Sequence, residues 1–322
     1  MTSVRIAGVG LTPFGAHGDR AGRELFATAA LSAFEDAGID REAVDQLNYG
    51  NFMGALAEDQ GHQAPLMAEA AGLTCPATRY EEACASAGVA VREAVRAVRS
   101  GEADVVLAGG MERMTTLDTG AATAALAIAA DELYEVRAGV TFPSAYALMA
   151  RAYFERFGGE REDLAHIAVK NHANAVDNEF AQYQTEITVE QALDSPPIAT
   201  PLHLYDACPI TDGASAVLLV SEEYADDNGI EAPVSITGSG QGGDNLALQD
   251  RHEMAQTPAT ETAATEAYEE AGITAADVDF AEVHDCFTIA EVLAIEGLGL
   301  FEPGEGIAAA REGRTTADGE TP

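Results

Sequence analysis

The chain of 322 residues contains one stretch of sequence twice, and this repeat limits the folds that it can adopt. Residues 28–45 and 262–279 are identical at ten of eighteen aligned positions, at a constant offset of 234. Each copy is typical of an amphipathic helix that ends at Ala-Gly-Ile, where the glycine caps the helix. Chance similarity between two alanine-rich helices is the alternative explanation. A second match, between residues 4–10 and 234–240, favours duplication of one structural unit.

Strands and helices alternate along both copies and continue to alternate after the first. The two upstream matches each indicate a short strand that ends in a glycine turn. A helix is predicted over residues 85–99, and buried strands are predicted over 104–108 and 214–220. This alternation predicts an α/β fold, built as layers from two similar βαβαβ halves.

The repeat also predicts the domain organisation. Helices and proline-rich loops interrupt the alternation in the middle of the chain, which indicates an inserted loop domain that covers a site. The second half has no counterpart of the helix that follows residue 84, since that helix would begin near residue 318. We therefore expect an incomplete, C-terminally truncated second half, either because the sequence is a fragment or because a partner completes the sheet. The expected division is a first half of residues 1–112 and 206–230, a loop domain of 113–205, and a second half of 231–322.

The charge of the chain narrows the classes of partner. It carries 54 acidic and 17 basic residues, a net charge of −37, and its single lysine is Lys170. A field this negative argues against nucleic acids and anionic membranes as partners. The acidic residues are scattered rather than gathered in a tail, which argues against a disordered chain. A strongly acidic, lysine-poor surface indicates a halophilic protein whose self-repulsion is screened by salt. The sequence has neither an apolar run near the roughly 20 residues of a membrane helix nor a signal peptide, so we expect a cytoplasmic protein.

Among the cysteines, Cys84 has the sequence context of a nucleophile. It lies in Glu-Glu-Ala-Cys-Ala-Ser-Ala-Gly, just before the predicted helix. A helix N-terminus lowers the pKa of a thiol, and the small neighbouring residues leave room for a bulky thioester. The alternative is an inert core cysteine, and Glu81 and Glu82 argue against a low thiol pKa. Cys75 and Cys208 are interpreted as structural, and the spacing of the cysteines matches no metal-binding pattern.

A second group of candidate residues follows a predicted strand over 278–283. His284, Asp285, Cys286 and Phe287 would lie at the carboxyl end of that strand, where open α/β sheets bind their ligands. A histidine and a cysteine two residues apart on a loop can point into one pocket. A buried capping aspartate with an incidental histidine and cysteine is the alternative.

Five segments carry a resemblance to one known family: residues 84–88, 100–114, 170–182, 211–217 and 284–287. Together they resemble the thiolase family, and the resemblance covers essentially the whole chain. The His-Asp-Cys-Phe segment resembles the sterol-carrier-type and archaeal branch, whereas the biosynthetic branch has Asn-Glu-Ala-Phe there. With the acidic composition, this branch indicates a haloarchaeal source.

The resemblance implies an acyl-CoA thiolase, an acetyl-CoA C-acyltransferase that needs no tightly bound cofactor and no metal. It implies that Cys84 accepts an acyl group from an acyl-CoA as a thioester. Cys286 would be the general acid/base for the α-proton of the second acyl-CoA. His284 would help to hold the thioester oxygen as negative charge develops. The reaction would join two acetyl-CoA into acetoacetyl-CoA, or run in reverse.

One departure from the family pattern keeps a second function open. Thiolases carry a Gly-His-Pro loop whose histidine activates the nucleophilic cysteine, and none of the seven histidines here stands in that context. The alternative is a non-catalytic or partner-completed subunit of an acyl-CoA condensing complex. Archaeal-type members imply an HMG-CoA synthase and a zinc-ribbon/OB-fold protein as partners, and thiolases in general imply a homo-oligomer.

Overall fold

Helices and strands alternate along the computed structural model, which describes residues 2–322. The strands are β1 (Val4–Leu11), β2 (Gln46–Gly50), β3 (Ala77–Tyr80), β4 (Val105–Arg113), β5 (Pro197–Ala199), β6 (Leu202–His203), β7 (Asp212–Ser221) and β8 (Val234–Ile236). The α-helices are α1 (Gly22–Ala37), α2 (Gly54–Ala57), α3 (Gln63–Ala71), α4 (Ser86–Ser100), α5 (Thr119–Ala127), α6 (Phe142–Phe157), α7 (Arg161–Ala175), α8 (Val189–Asp194), α9 (Glu222–Asn228), α10 (Pro258–Ala271), α11 (Thr288–Gly297) and α12 (Gly306–Arg311).

The chain forms two compact units. The first unit runs from the N-terminus to Ala125 and includes Ile210–Thr237. The second unit combines Leu126–Pro209 with Gly238–Pro322. Most of the segment predicted as a loop domain therefore packs with the second half of the repeat. Within residues 2–322, no helix combines the length and the apolar character needed to cross a bilayer.

The first unit is built around a mixed sheet with the strand order β3-β2-β4-β7-β1-β8. β2 is parallel to β3 and β4, whereas β4, β7, β1 and β8 pair antiparallel in that order. Side chains alternate along β4: Val105 and Leu107 pack with helices α1 and α3, and Val106 and Ala108 pack with α4. A strand buried on both faces needs apolar residues throughout, and this is why the runs at 104–108 and 214–220 could be predicted as strands. Both predictions are confirmed by β4 and β7, and α4 confirms the helix predicted over 85–99.

Glycine contacts confirm the internal repeat. A Cβ on Gly8 or Gly10 would lie 2.2 Å or 1.9 Å from a carbonyl oxygen of α1, at Ala33 and Ala29. Gly238 and Gly240 make the same approach to α10, where a Cβ would lie 2.1 Å and 1.8 Å from the carbonyl oxygens of Ala267 and Ala263. In both copies the strand-like segment therefore lies so close to its helix that only glycine fits.

A hydrogen bond and a helix cap repeat together with these contacts. The Val9 N–H donates to Asp36 Oδ2 at 2.9 Å, and the Ser239 N–H donates to Glu270 Oε2 at 2.8 Å. Gly38 and Gly272 both adopt the left-handed conformation that ends the helix, with φ of 64° and 70°. Equivalent residues thus make equivalent contacts at the offsets found in the sequence.

The second unit departs from the predicted pattern at one element. The prediction of a strand over residues 278–283 is wrong, because this segment pairs with no strand among residues 2–322. A strand requires a neighbour for its backbone groups, and here the Ala281 N–H donates to the Pro322 carbonyl while Phe280 is 67% exposed. The core of this unit is instead formed between helices α6, α7, α11 and α12.

We predict that Gly10→Ala destabilises the protein, whereas Gly18→Ala does not. The new Cβ at residue 10 would force α1 away from β1, and overpacking of this kind costs about 1–3 kcal/mol of unfolding free energy. No heavy atom lies within 4 Å of the Cβ position at Gly18, which makes it a matched control. Urea unfolding of both variants measures the difference, and equal midpoints would contradict the assigned contact.

Candidate functional site

Cys84 lies in a short 3₁₀ turn, Ala83–Ala85, that leads directly into α4. Ser86 closes the turn, because its Oγ accepts the Glu82 N–H at 2.9 Å and donates to the Ala83 carbonyl at 2.7 Å. Ala83 has a φ of 47°, a left-handed conformation that costs free energy for a residue with a Cβ. Cys84 itself is exposed. The chain therefore presents a thiol to solvent on a strained turn at the start of a long helix.

Two glycines in the sheet set the depth at which this helix begins. A Cβ on Gly50, the last residue of β2, would lie 2.4 Å from the backbone of Ala87. A Cβ on Gly110, in β4, would lie 3.1 Å from the Ala87 Cβ. Glycine at both positions allows the first turn of α4 to rest directly on the strand ends. The position of Cys84 follows from that close approach.

A partly buried carboxyl group lies near this turn at the end of β4. Glu112 accepts hydrogen bonds from the backbone N–H groups of Phe52 and Met53, the latter at 3.1 Å. The Arg79 guanidinium donates to the Asn51 and Phe52 carbonyls, so the loop after β2 is held from two sides. Burial raises the pKa of Glu112 to about 7, although its hydrogen bonds oppose the shift. Glu112 therefore changes charge in the neutral pH range.

The pKa of the Cys84 thiol is raised, contrary to the lowering expected from the helix N-terminus. The main cause is the low-polarity protein around the thiol, which disfavours the thiolate although the side chain still contacts solvent. The second cause is the negative charge of Glu112. Glu81 and Glu82, the acids singled out in the sequence, do not appear among the causes. A nucleophilic role for Cys84 thus requires a base that removes its proton.

We predict that Glu112→Gln increases the reactivity of Cys84. The amide keeps an acceptor for the loop N–H groups but removes the charge that opposes thiolate formation, so the thiol pKa falls. Alkylation of Cys84 by iodoacetamide, followed by mass spectrometry near pH 7.5, should accelerate about two- to fivefold. Glu102→Gln is the control, because Glu102 is an exposed residue just after the C-terminal end of α4. Unchanged alkylation in Glu112→Gln would show that the carboxylate does not act on the thiol.

His284, Asp285, Cys286 and Phe287 lead into α11 rather than following a strand. Cys286 is buried, and its carbonyl accepts the Cys208 N–H at 3.0 Å. Phe287 stacks on Tyr146 of α6 with ring centroids 4.7 Å apart. The expected position at a strand end is therefore corrected: this segment is the entry to a helix, and it is held by packing against α6 and by the chain around Cys208.

His284 borders a cavity of about 520 Å³ within the second unit. Apolar side chains that include Tyr146, Met149 and Leu293 line most of it. The surrounding protein lowers the pKa of His284, although the residue is exposed to solvent. These surroundings favour the uncharged imidazole, and one of its nitrogens can then donate a hydrogen bond without the charge of an imidazolium.

Three polar side chains outside the segment, none of them predicted as a site residue, contact Asp285 or one another beside it. Lys170 Nζ lies 3.0 Å from Glu291 Oε1, and the Asn171 amide donates to Glu291 Oε2 at 2.9 Å and to Asp285 Oδ2. Burial and the nearby Glu291 raise the pKa of Asp285 to about 6, while Lys170 and Asn171 oppose the shift. The one available sequence signal was Lys170, since it is the single lysine of the chain.

The structure thus brings two of the three predicted site residues together. His284 and Cys286 belong to one segment of the second unit, whereas Cys84 belongs to the first unit. Cys75 is half-buried against the core of the first unit, in agreement with the structural interpretation, and Cys208 is exposed.

Comparison with protein families and known proteins gives matches over nearly the whole chain. The family model described as the thiolase N-terminal domain matches residues 4–223, and the model described as thiolase C-terminal domain-like matches residues 240–322. The acetyl-CoA acetyltransferase of Methanothermobacter thermautotrophicus is 43% identical over 100% of this chain and 84% of its own length. Human sterol carrier protein 2 is 29% identical over 98% of this chain, which spans 60% of that relative.

Solved structures give the same fold. The structure described as the Ltp2-ChsH2(DUF35) aldolase superposes with a TM-score of 0.84 at 28% identity, over 99% of this chain and 83% of its own. Human mitochondrial 3-ketoacyl-CoA thiolase superposes with a TM-score of 0.76 at 19% identity, over 97% of this chain and 93% of its own. The second similarity supports the predicted fold class alone, and the predicted layered α/β fold is confirmed.

Proposed function

This chain belongs to the thiolase family of acyltransferases, and from that premise we propose that it forms or cleaves 3-ketoacyl-CoA through an acyl thioester on Cys84. The observation that carries the proposal is the setting of Cys84, an exposed thiol on a strained turn at the start of α4. The similarity to archaeal acetyl-CoA acetyltransferases supports acetyl-CoA and acetoacetyl-CoA as substrates. Coenzyme A thioesters are the substrates, and the proposal includes no further cofactor.

In the first step, the Cys84 thiolate attacks the carbonyl carbon of an acyl-CoA. The new S–C bond forms as the bond to coenzyme A breaks, and the departing coenzyme A thiolate takes up a proton. Because the pKa of Cys84 is raised, a base must first accept the thiol proton. The exchange of one thioester for another is close to balanced in free energy, which suits a reaction that runs in both directions.

In the second step, the thiolate form of Cys286, whose own proton has passed to solvent, removes the α-proton of a second acyl-CoA and becomes a thiol. The resulting carbanion attacks the thioester carbonyl on Cys84, the C–C bond forms, and the Cys84 sulfur leaves as a thiolate. His284 stabilises the enolate oxygen that develops on the second thioester. Its lowered pKa supports this role, because a neutral imidazole donates a hydrogen bond without trapping the enolate as a tight ion pair.

We predict that separate measurement of the two half-reactions distinguishes the role of Cys84 from that of Cys286. Cys84→Ala should abolish the acyl-enzyme that forms when the protein is mixed with labelled acetyl-CoA. Cys286→Ala should leave that labelling intact and lower the rate of acetoacetyl-CoA formation by about 10²–10⁴-fold, as expected for loss of a general acid/base. Cys75→Ala, a thiol in the core of the first unit, is the control for general effects. Label on any residue other than Cys84 would contradict the proposal.

A second candidate function is a subunit whose activity depends on a partner protein. Two relatives favour it by their names, the Ltp2-ChsH2(DUF35) aldolase and the benzoylsuccinyl-CoA thiolase subunit BbsB of Thauera aromatica. Under this alternative the partner is a protein of the DUF35 or zinc-ribbon/OB-fold kind, and an HMG-CoA synthase belongs to the same complex. Cys84→Ala distinguishes the two functions: it abolishes acyl transfer by an enzyme, but leaves the rate of a complex unchanged if the chain is a scaffold.

We also propose that the protein is adapted to high salt, and we predict that its melting temperature rises by several degrees between about 0.1 M and about 2 M KCl. The net charge of −37 produces self-repulsion, and the screening length falls from about 10 Å at 0.1 M to about 3 Å at 1 M salt. A variant with three exposed acids of α9 neutralised, Glu223→Gln with Asp226→Asn and Asp227→Asn, should gain less from added salt. An identical salt response in both proteins would argue against charge repulsion as the cause.

A further inference from the structure

The polar group formed by Lys170, Asn171, Asp285 and Glu291 carries an inference that rests on the proposed roles of His284 and Cys286. Lys170 and Asn171 are neighbours on α7, Glu291 lies in the first turns of α11, and Asp285 lies between His284 and Cys286. The side chains of Lys170 and Glu291 are 14% and 3% exposed. A buried ion pair of this kind contributes little net stability, since desolvation offsets the attraction. The role of the Lys170–Glu291 pair is therefore better explained by the geometry that it fixes than by stability.

Each contact in the group involves a different carboxylate oxygen. Lys170 binds one oxygen of Glu291, and the Asn171 amide uses its two hydrogens to bridge the other oxygen of Glu291 and Asp285 Oδ2. Two carboxylates that would otherwise repel each other are thereby held at a fixed separation. One of them belongs to α11 and the other to the loop before it. The bridge therefore fixes the angle at which residues 284–286 enter the helix.

The opposite side of the same loop is fixed by the backbone. The Cys208 N–H donates to the Cys286 carbonyl, Ala207 and Phe287 form an isolated antiparallel bridge, and Thr288 Oγ1 donates to Asp206 Oδ1 at 2.9 Å. The loop is thus held between α7 and the segment at 206–208. Neither set of contacts involves the imidazole of His284, which stays available to a ligand.

The composition of the chain agrees with a specific requirement at residue 170. Of the 17 basic residues, 16 are arginines, so lysine is avoided everywhere except in this pair. A compact ammonium binds a single carboxylate oxygen in little space, whereas the planar guanidinium needs room for its fork of donors. The neighbouring Asn171 amide already occupies the second oxygen of Glu291.

We infer that Lys170 and Asn171 are positioning residues that, through Glu291 and Asp285, hold Cys286 and His284 for the carbon–carbon bond-forming step. They touch no reacting atom in the proposed mechanism. They act on the second half-reaction alone, because Cys84 accepts its acyl group without Cys286. Loss of either residue lets the loop shift, and a misplacement of about 1 Å can cost on the order of 100-fold in rate.

The decisive measurement compares the two half-reactions in Lys170→Met and Asn171→Ala. Labelling of Cys84 by acetyl-CoA should stay within about twofold of wild type, while kcat for acetoacetyl-CoA formation falls about 10–100-fold with KM little changed. Lys170→Arg should restore part of kcat. Asn171→Ala keeps the ion pair, and it tests the inference if Lys170→Met does not fold. An equal fall in both half-reactions, or no fall in either variant, would overturn the inference.

The pH dependence of kcat distinguishes a positioning role from a purely structural one, because a loss of stability alone would not shift it. The charged groups that act on Asp285 are Glu291 from α11 and Lys170 from α7. Removal of the ammonium charge raises the pKa of Asp285 above its value of about 6, so the acidic limb of kcat should move to higher pH in Lys170→Met. It should return toward wild type in Lys170→Arg.

Arg311→Met is the matched control for the loss of an ion pair. Arg311 Nη1 lies 2.9 Å from Asp163 Oδ1, and the Asp163 side chain, in the first turn of the same helix α7, is 6% exposed. This variant should lose stability comparable to that lost by Lys170→Met, without separating the two half-reactions. A separation in Arg311→Met as well would show that general loosening of α7 is the cause.

If the proposed function is wrong, acetyl-CoA will not label Cys84 even in the wild-type protein, and this outcome is distinct from any effect of the variants. In that case amide hydrogen exchange at Cys208 tests the positioning role directly, since its N–H is bonded to the Cys286 carbonyl. Exchange should accelerate in Lys170→Met and Asn171→Ala but not in Arg311→Met. Unchanged protection of the Cys208 amide in the first two variants would overturn the inference.

Discussion

The contact between glycine backbone and the carbonyl groups of a helix is the constraint on which both halves of this protein depend. Gly8 and Gly10 lie against α1, and Gly238 and Gly240 lie against α10, at distances that exclude any Cβ. A strand and a helix this close bury their apolar faces with almost no space between them. The abundance of alanine in both helices follows from the same requirement, because a larger side chain would push the two elements apart.

In the first unit, close packing of this kind also determines where the reactive thiol lies. Gly50 and Gly110 let the first turn of α4 lie directly against β2 and β4, and the chain enters that turn through the left-handed conformation of Ala83. Ser86 adds two hydrogen bonds within the turn. The environment that results is apolar and lies near a carboxylate, so the pKa of Cys84 is raised. The fold therefore exposes the Cys84 thiol, but formation of the thiolate still requires a group that accepts the thiol proton.

The second reactive segment is built on a different principle. Residues 284–287 are held by side-chain and backbone contacts with three other parts of the second unit, and no ladder of strands supports them. The carboxylates of Asp285 and Glu291 are tolerated there because the Asn171 amide and the Lys170 ammonium satisfy them. The lowered pKa of His284 arises from the same low-polarity surroundings. The position of Cys286, which follows Asp285 in the chain, is therefore set by this network of contacts.

The sequence by itself determined the duplicated unit, the layered α/β class, the central strands β4 and β7, and the helix that begins after Cys84. These features depend on local periodicity, on glycine punctuation and on a repeat at fixed offset, all of which can be read along the chain. Tertiary structure decided three other features. Residues 278–283 have the composition of a strand but form none, because a strand exists only where another strand pairs with it. The pKa of Cys84 is raised rather than lowered, and the causes are the low-polarity protein around the thiol and the charge of Glu112, 28 positions away. The network of Lys170, Asn171, Asp285 and Glu291 joins residues more than 110 positions apart, and no local pattern reports a contact that exists only after α7 and α11 have packed together.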